Sequence, residues 1–197
     1  MKLVDSLEEQ SQLERILEDS KPKAPAELHF LLTTPFRYPS PHGSRFRPGG
    51  SLGIWYGAET IQTACTELGY WRWRFLMDSD GLRGGELIVE FTLFAARISG
   101  RALDLSAAPW DERRADWTSN DYSACLRLAA EACKRDVQWI RYWSARHVAG
   151  HCAAVFDPRA FSSGPELKTQ QTWHCKVTST SAFMRHDDDT IALSFTG

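Results

Sequence analysis

Apolar positions recur at helical spacing near the start of the chain. Leu7, Leu13, Ile16 and Leu17 lie on one side of a helix predicted over residues 4–19, and the proline-containing KPKAPAE segment (21–27) ends it. LHFLLTT (28–34) is a continuous apolar run and predicts a buried strand stopping at Pro35. Four prolines and three glycines make PFRYPSPHGSRFRPGG (35–50) a loop. LGIWYGA (52–58) predicts a short strand. Thr60 then caps a helix whose apolar stripe is Ile61, Ala64, Cys65 and Leu68. GELIVEFTLFAARI (85–98) gives the longest strand signal, with RALDL following, and residues 106–120 predict a polar surface excursion. Cys125, Leu128, Ala129, Ala132 and Cys133 share one face of a further helix, which makes the two cysteines small core residues. VQWIRYW, CAAVFDP, QTWHCKVTST and TIALSF complete the strands. Strands outnumber helices without alternating with them, so the predicted class is α+β: one domain, a mixed or antiparallel sheet and flanking helices.

Composition narrows the function classes. At 197 residues with 43% hydrophobic positions and eight tryptophans, the chain buries a core and is not a disordered segment. Lys+Arg 23 against Asp+Glu 25 leaves a net charge of −2, without the basic excess of a nucleic-acid binder, so neither direct nucleic-acid binding nor a ribonuclease is expected. Residues 1–20 are charged, giving no secretory signal, and no apolar run approaches membrane-spanning length. Five cysteines with no C-x-x-C pair predict reduced thiols in a cytoplasmic protein. A zinc set drawn from Cys152, His151 and His174 matches no standard spacing. Phosphate-loop, dinucleotide-fold and nucleophile-elbow motifs are absent from the sequence.

Individual residues then offer chemistry, each beside a plainer reading. Arg37, Arg45 and Arg47 sit in a Pro/Gly-rich loop where guanidinium groups and backbone amides can hold an anion; the alternative is a solvated loop with surface partners. Glu67 borders the apolar stripe of its helix and either looks into a cleft or is an ordinary surface carboxylate. Tyr56, at the end of a strand, either stacks on a planar ligand or joins the core. Ser144, between Arg141 and Arg146, either donates to a ligand or shapes a turn. His147 and His151 read as loop and packing residues.

Taken in order, Arg45 in GSRFRPGG, Tyr56 in GIWYGAE, Glu67 in TACTE and Ser144 in YWSAR resemble the RES-domain family, which is named for its arginine, glutamate and serine. The likeness runs from about residue 28 to 180 and includes the TPFRYP and CAAVFDP segments and a Y-x-S-x-R-x-x-x-G pattern. His151 departs from it, standing where relatives carry a small or polar residue. The resemblance implies a fold similar to ADP-ribosyltransferase toxins, divided here into an N-terminal helical extension (1–22) and a catalytic domain (23–197). It implies a bacterial toxin with NAD+ as substrate and no metal, partnered by a helix-turn-helix antitoxin that covers the active site. The implied reaction is glycohydrolysis or phosphorolysis of the nicotinamide–ribose bond, or ADP-ribosylation of a protein. By the same resemblance Glu67, Arg45 and Ser144 are catalytic, while Tyr56, Arg37 and Arg47 bind substrate. The bland alternative is a non-catalytic nucleotide- or partner-binding module.

Overall fold

The computed structural model describes residues 6–19, 28–162 and 164–195. Helix α1 (Leu7–Asp19) matches the first apolar stripe, although Leu7, Leu13 and Ile16 are all exposed. Residues 4, 5 and 21–27 and the side chain of Leu17 lie outside the described residues.

The predicted strand at 28–34 is instead a single helical turn, α2 (Phe30–Thr33), continued by a 3-10 turn over Thr34–Phe36. The local reason is capping: His29 adopts an extended backbone, and its Nδ1 accepts the Leu31 amide. Pro35, at the start of the 3-10 turn, has no amide to leave unpaired there. Leu32 and Thr33 reach the interior while Phe30 is 64% exposed, so one side of the run is buried and the continuous buried strand is replaced by a helical turn.

Strand β1 (Trp55–Ala58) starts three residues later than predicted. Helix α3 (Ile61–Asp78) begins where expected, its first turn capped by Thr60, whose hydroxyl accepts the Thr63 amide. After it come β2 (Leu87–Ala95) and β3 (Ala102–Asp104).

The stretch predicted as a polar excursion holds a 3-10 turn and α4 (Arg114–Thr118), and it buries Trp117 completely. One large ring inserted from an otherwise polar segment is invisible to a count of polar residues. Helix α5 (Ser123–Lys134) buries Cys125, Ala129 and Ala132, whereas Cys133 is exposed. Eight residues past Cys125 the helix has turned about 80° off the buried stripe.

Strands β4 (Trp139–Trp143), β5 (His151–Val155), β6 (Glu166–Val177), β7 (Ser181–His186) and β8 (Asp189–Ser194) complete the chain. At 12 residues, β6 rather than β2 is the longest strand, and β7 was not foreseen. In SAFMRH only Ala182 and Met184 are buried, on alternate positions, a strand signal too short to stand out.

The α+β class holds, with two four-stranded sheets instead of one. The first runs β1-β5-β4-β3, antiparallel except for the β3–β4 pair; the second runs β2-β6-β7-β8, antiparallel throughout. Register divides the first sheet into two faces. Tyr56, Ala154 and Ile140 form one cross-strand row and Ala58, Cys152 and Tyr142 the next on the same face. That face packs on α4 and α5 through Trp117, Cys125 and Ala129.

Helix α3 bridges the sheets. Cys65, Trp73 and Leu76 pack on Trp173, Cys175 and Met184 of the second sheet. This leaves the flank bearing Thr63 and Glu67 against the turn that follows β4 of the first. Among the described residues, no helix is long and apolar enough to cross a membrane.

Candidate active site

The turn between β4 and β5 is built around Ser144, which is 3% exposed. Its Oγ accepts the amides of Arg146 (3.1 Å) and His147 (2.9 Å) and donates to Glu67 Oε1 at 2.6 Å. A hydroxyl has one proton and two acceptor positions. With both acceptor positions filled by amides, the proton must go to Glu67. Ser144 therefore both shapes a turn and orients the carboxylate, so the two readings of this serine are one arrangement.

Gly150 closes the same turn. Its carbonyl accepts the Ser144 amide and its amide donates to His147 O, both at 2.8 Å. A Cβ here would sit 2.4 Å from Thr63 Oγ1 and 2.7 Å from His147 Nδ1. Those two atoms are already bonded to one another at 2.8 Å, and Thr63 is fully buried. Gly150→Ala should cost about 1–3 kcal/mol through overpacking, read as a lowered urea midpoint, and should loosen the grip of Ser144 on Glu67.

Arg45 comes from the Pro/Gly-rich loop and is 8% exposed. Its Nη1 donates to Trp117 O (2.8 Å) and Ser119 O (2.7 Å), and its guanidinium lies 4.7 Å from the centroid of Tyr122, the residue that caps α5. Tyr56, the second residue of β1, holds the same loop from below: its hydroxyl donates to Ser44 Oγ at 2.9 Å and accepts the Phe46 amide at 3.2 Å. The ring is 38% exposed while the hydroxyl is sunk under the loop, and that burial raises its pKa despite the Ser44 bond.

Tyr122 marks where these groups converge. Burial raises its pKa, and it lies within the fields of Arg45, Arg146, Tyr70 and Glu67 together. Arg146 stacks 3.5 Å from the Tyr70 centroid and donates from Nη2 to Asn120 Oδ1 at 2.6 Å. Among the described residues neither Arg45 nor Arg146 has a carboxylate within 4.0 Å. Two guanidinium groups and one carboxylate thus act on the Tyr122 ring together, a local charge that is positive on balance.

Along β4, the row containing Tyr56 and the position of Ser144 are four residues apart, about 13 Å. This length suits an extended ligand with an anionic middle. Tyr70, Tyr122, Asn120 and Arg146 were not singled out from sequence as site residues. The signals for them were Arg146 two positions after Ser144 and Tyr70 three residues after Glu67 on the same helix.

The remaining candidates are placed differently. Arg47 lies 5.4 Å from the Phe156 centroid, with a buried Nε that has no partner, toward the opposite end of the first sheet from Ser144. Arg37 ends the 3-10 turn beside the buried Phe36. Cys152 lies on the same face as Tyr142, and burial followed by the charge of Glu67 pushes its thiol up to about 12, so it is no thiolate nucleophile at neutral pH. His151 points to the opposite face, its ring tilted against Trp143 with centroids 4.1 Å apart, while His174 belongs to the second sheet. Consecutive β5 residues cannot aim one ion from both faces, and among the described residues no three His, Cys, Asp or Glu side chains cluster as a metal site.

On that opposite face Arg141 holds Glu59 with Nε and Nη2 and reaches Asp104 and Ser106 with Nη1. The Arg141 hydrogen bond holds the Glu59 carboxyl below its usual value of 4.5. A pKa lower in the folded than in the unfolded chain gives stability that is full above about pH 4.5 and fades as pH falls through the folded value. Acid unfolding should therefore steepen below about pH 4.5, and Glu59→Gln should flatten that slope in pH-dependent urea titrations.

The family model for the RES domain matches residues 15–178, from within α1 to the end of β6. The chain belongs to the RES-domain family. No curated protein matches the chain. RES domains are associated with NAD-related enzymatic activity. The matched stretch of this RES domain includes both arginines of the cleft, Glu67 and the Ser144 turn, while β7 and β8 lie beyond it.

Proposed function

We propose that this RES domain is a toxin that depletes NAD+ by breaking the nicotinamide–ribose bond. The observation that carries the reading is the Ser144-held carboxylate of Glu67, which acts on Tyr122 together with Arg45 and Arg146, two arginines with no acidic partner among the described residues.

NAD+ offers the complementary charges: a cationic nicotinamide ring on one ribose and a diphosphate further along. As the bond from the anomeric carbon to the ring nitrogen breaks, its electron pair leaves with nicotinamide and the ribose becomes an oxocarbenium ion. Glu67 stabilises that cation electrostatically, while the arginines fix the diphosphate and so position the sugar. Ser144 acts through Glu67, leaving Oε1 committed and Oε2 for the sugar. Water attacking the anomeric carbon gives ADP-ribose and a proton; phosphate as acceptor gives ADP-ribose 1-phosphate.

The family likeness adds a cytoplasmic setting and a helix-turn-helix antitoxin seated over the cleft. Trp71 and Phe75, half-exposed on α3 one and two turns beyond Glu67, give such a partner an apolar footing beside the site. Incubation with NAD+ labelled in its adenylate half separates the acceptors. Free ADP-ribose identifies hydrolysis, its 1-phosphate in phosphate buffer identifies phosphorolysis, and label fixed on a protein identifies ADP-ribosyl transfer. Unconsumed NAD+ would favour a non-catalytic binding module.

A further inference from the structure

Arg45 and Arg146 look alike as charges, yet the structure employs them differently. Arg45 uses Nη1 on the carbonyls of Trp117 and Ser119 and is almost fully buried, so it pins one wall of the cleft. Arg146 is only half-buried. It stacks on Tyr70 and holds Asn120, but its Nε is buried with no hydrogen-bond partner among the described residues. A desolvated cationic donor left unpaired is costly, and such a cost persists where a ligand or a small rearrangement on binding completes the group.

The position of Arg146 is tied to the carboxylate as well. Its backbone amide donates to Ser144 Oγ, the hydroxyl that holds Glu67. A single polar junction therefore spaces this guanidinium from the acid.

Building on the NAD+ reading, we propose that Arg146 is the anchor for the substrate's diphosphate and sets its distance from Glu67, while Arg45 holds the wall against which the diphosphate lies. The anchor makes one recognition contact shared by ground state and transition state, so its loss acts mainly on substrate affinity and less on the bond-breaking step, through the placement of the sugar.

Calorimetric titration with ADP, a diphosphate that cannot react, tests the anchor apart from catalysis. Wild-type protein should bind ADP. Arg146→Gln should weaken that affinity at least tenfold, with Arg146→Lys in between, because a point charge replaces a planar fork. In steady-state assays the KM for NAD+ should rise by a similar factor and kcat should fall by less, because the sugar is less well placed against Glu67, and inhibition by nicotinamide should be unchanged. If Arg146→Gln does not fold, Arg146→Lys, which keeps a cation over Tyr70, decides. Unchanged ADP affinity in a folded variant of a protein that consumes NAD+ overturns the anchor and leaves the NAD+ reading standing. Failure of the wild type to bind either ADP or NAD+ overturns both.

Discussion

Glu67→Gln should slow NAD+ cleavage about a thousandfold while the protein stays folded. The change removes one negative charge and keeps the shape, and the Ser144 hydroxyl can still donate to the amide oxygen in place of Oε1. A carboxylate about 4 Å from a developing cation at an effective dielectric of ~20 stabilises it by about 4 kcal/mol. That difference in barrier is about a thousandfold in rate. Glu67 is half-buried and lies outside the apolar packing of α3, so the thermal midpoint should move by no more than a few degrees. Rate measurements on the variant, with thermal unfolding alongside, check both halves. A folded variant that consumed NAD+ at the parent rate would remove Glu67 from the reaction.

Arg45→Ala should do the reverse, losing stability first. Nη1 donates to two carbonyls, one of which is otherwise met by the weak Cys125 thiol, and the guanidinium covers the Tyr122 ring. Hydrogen bonds to a charged group contribute about 1.5–3 kcal/mol each, so the combined loss is about 3–6 kcal/mol. A domain of this size is stable by about 5–15 kcal/mol in total, so this is a large share. The expected reading is a thermal midpoint lower by about 10 °C, with the 117–122 segment the first to gain hydrogen exchange. Arg45→Lys keeps the charge but not the two-carbonyl geometry, and it should recover only part of the difference. A fully stable Arg45→Ala would mean that the arginine serves a ligand alone.

These two residues also show what the sequence made legible. Glu67 was readable because helical periodicity places it at the edge of an apolar stripe, and the structure keeps that periodicity from Thr60 onward. Arg45 was readable as chemistry but not as architecture. Its two acceptors lie more than 70 residues away, in a segment whose polar composition hid a buried Trp117. Local pattern carries no information about such a partner.

The same limit explains the strand predicted at 28–34. An apolar run of seven residues fits either a buried strand or a turn of helix, and the His29 cap, a single hydrogen bond, decides it. Tyr70 follows Glu67 by three residues on α3 and lies within the reach of helical period, but the same limit hides Tyr122 and Asn120, which approach only when α3, the start of α5 and the Ser144 turn meet. Their residue types are common and their spacing follows no period.

Release of nicotinamide by the purified chain, followed over time beside Glu67→Gln at equal concentration, addresses the central claim most directly. The account predicts steady release from NAD+ by the parent protein and about a thousandth of that rate from the variant. Equal release from both, or none from a parent protein that binds NAD+, would contradict it.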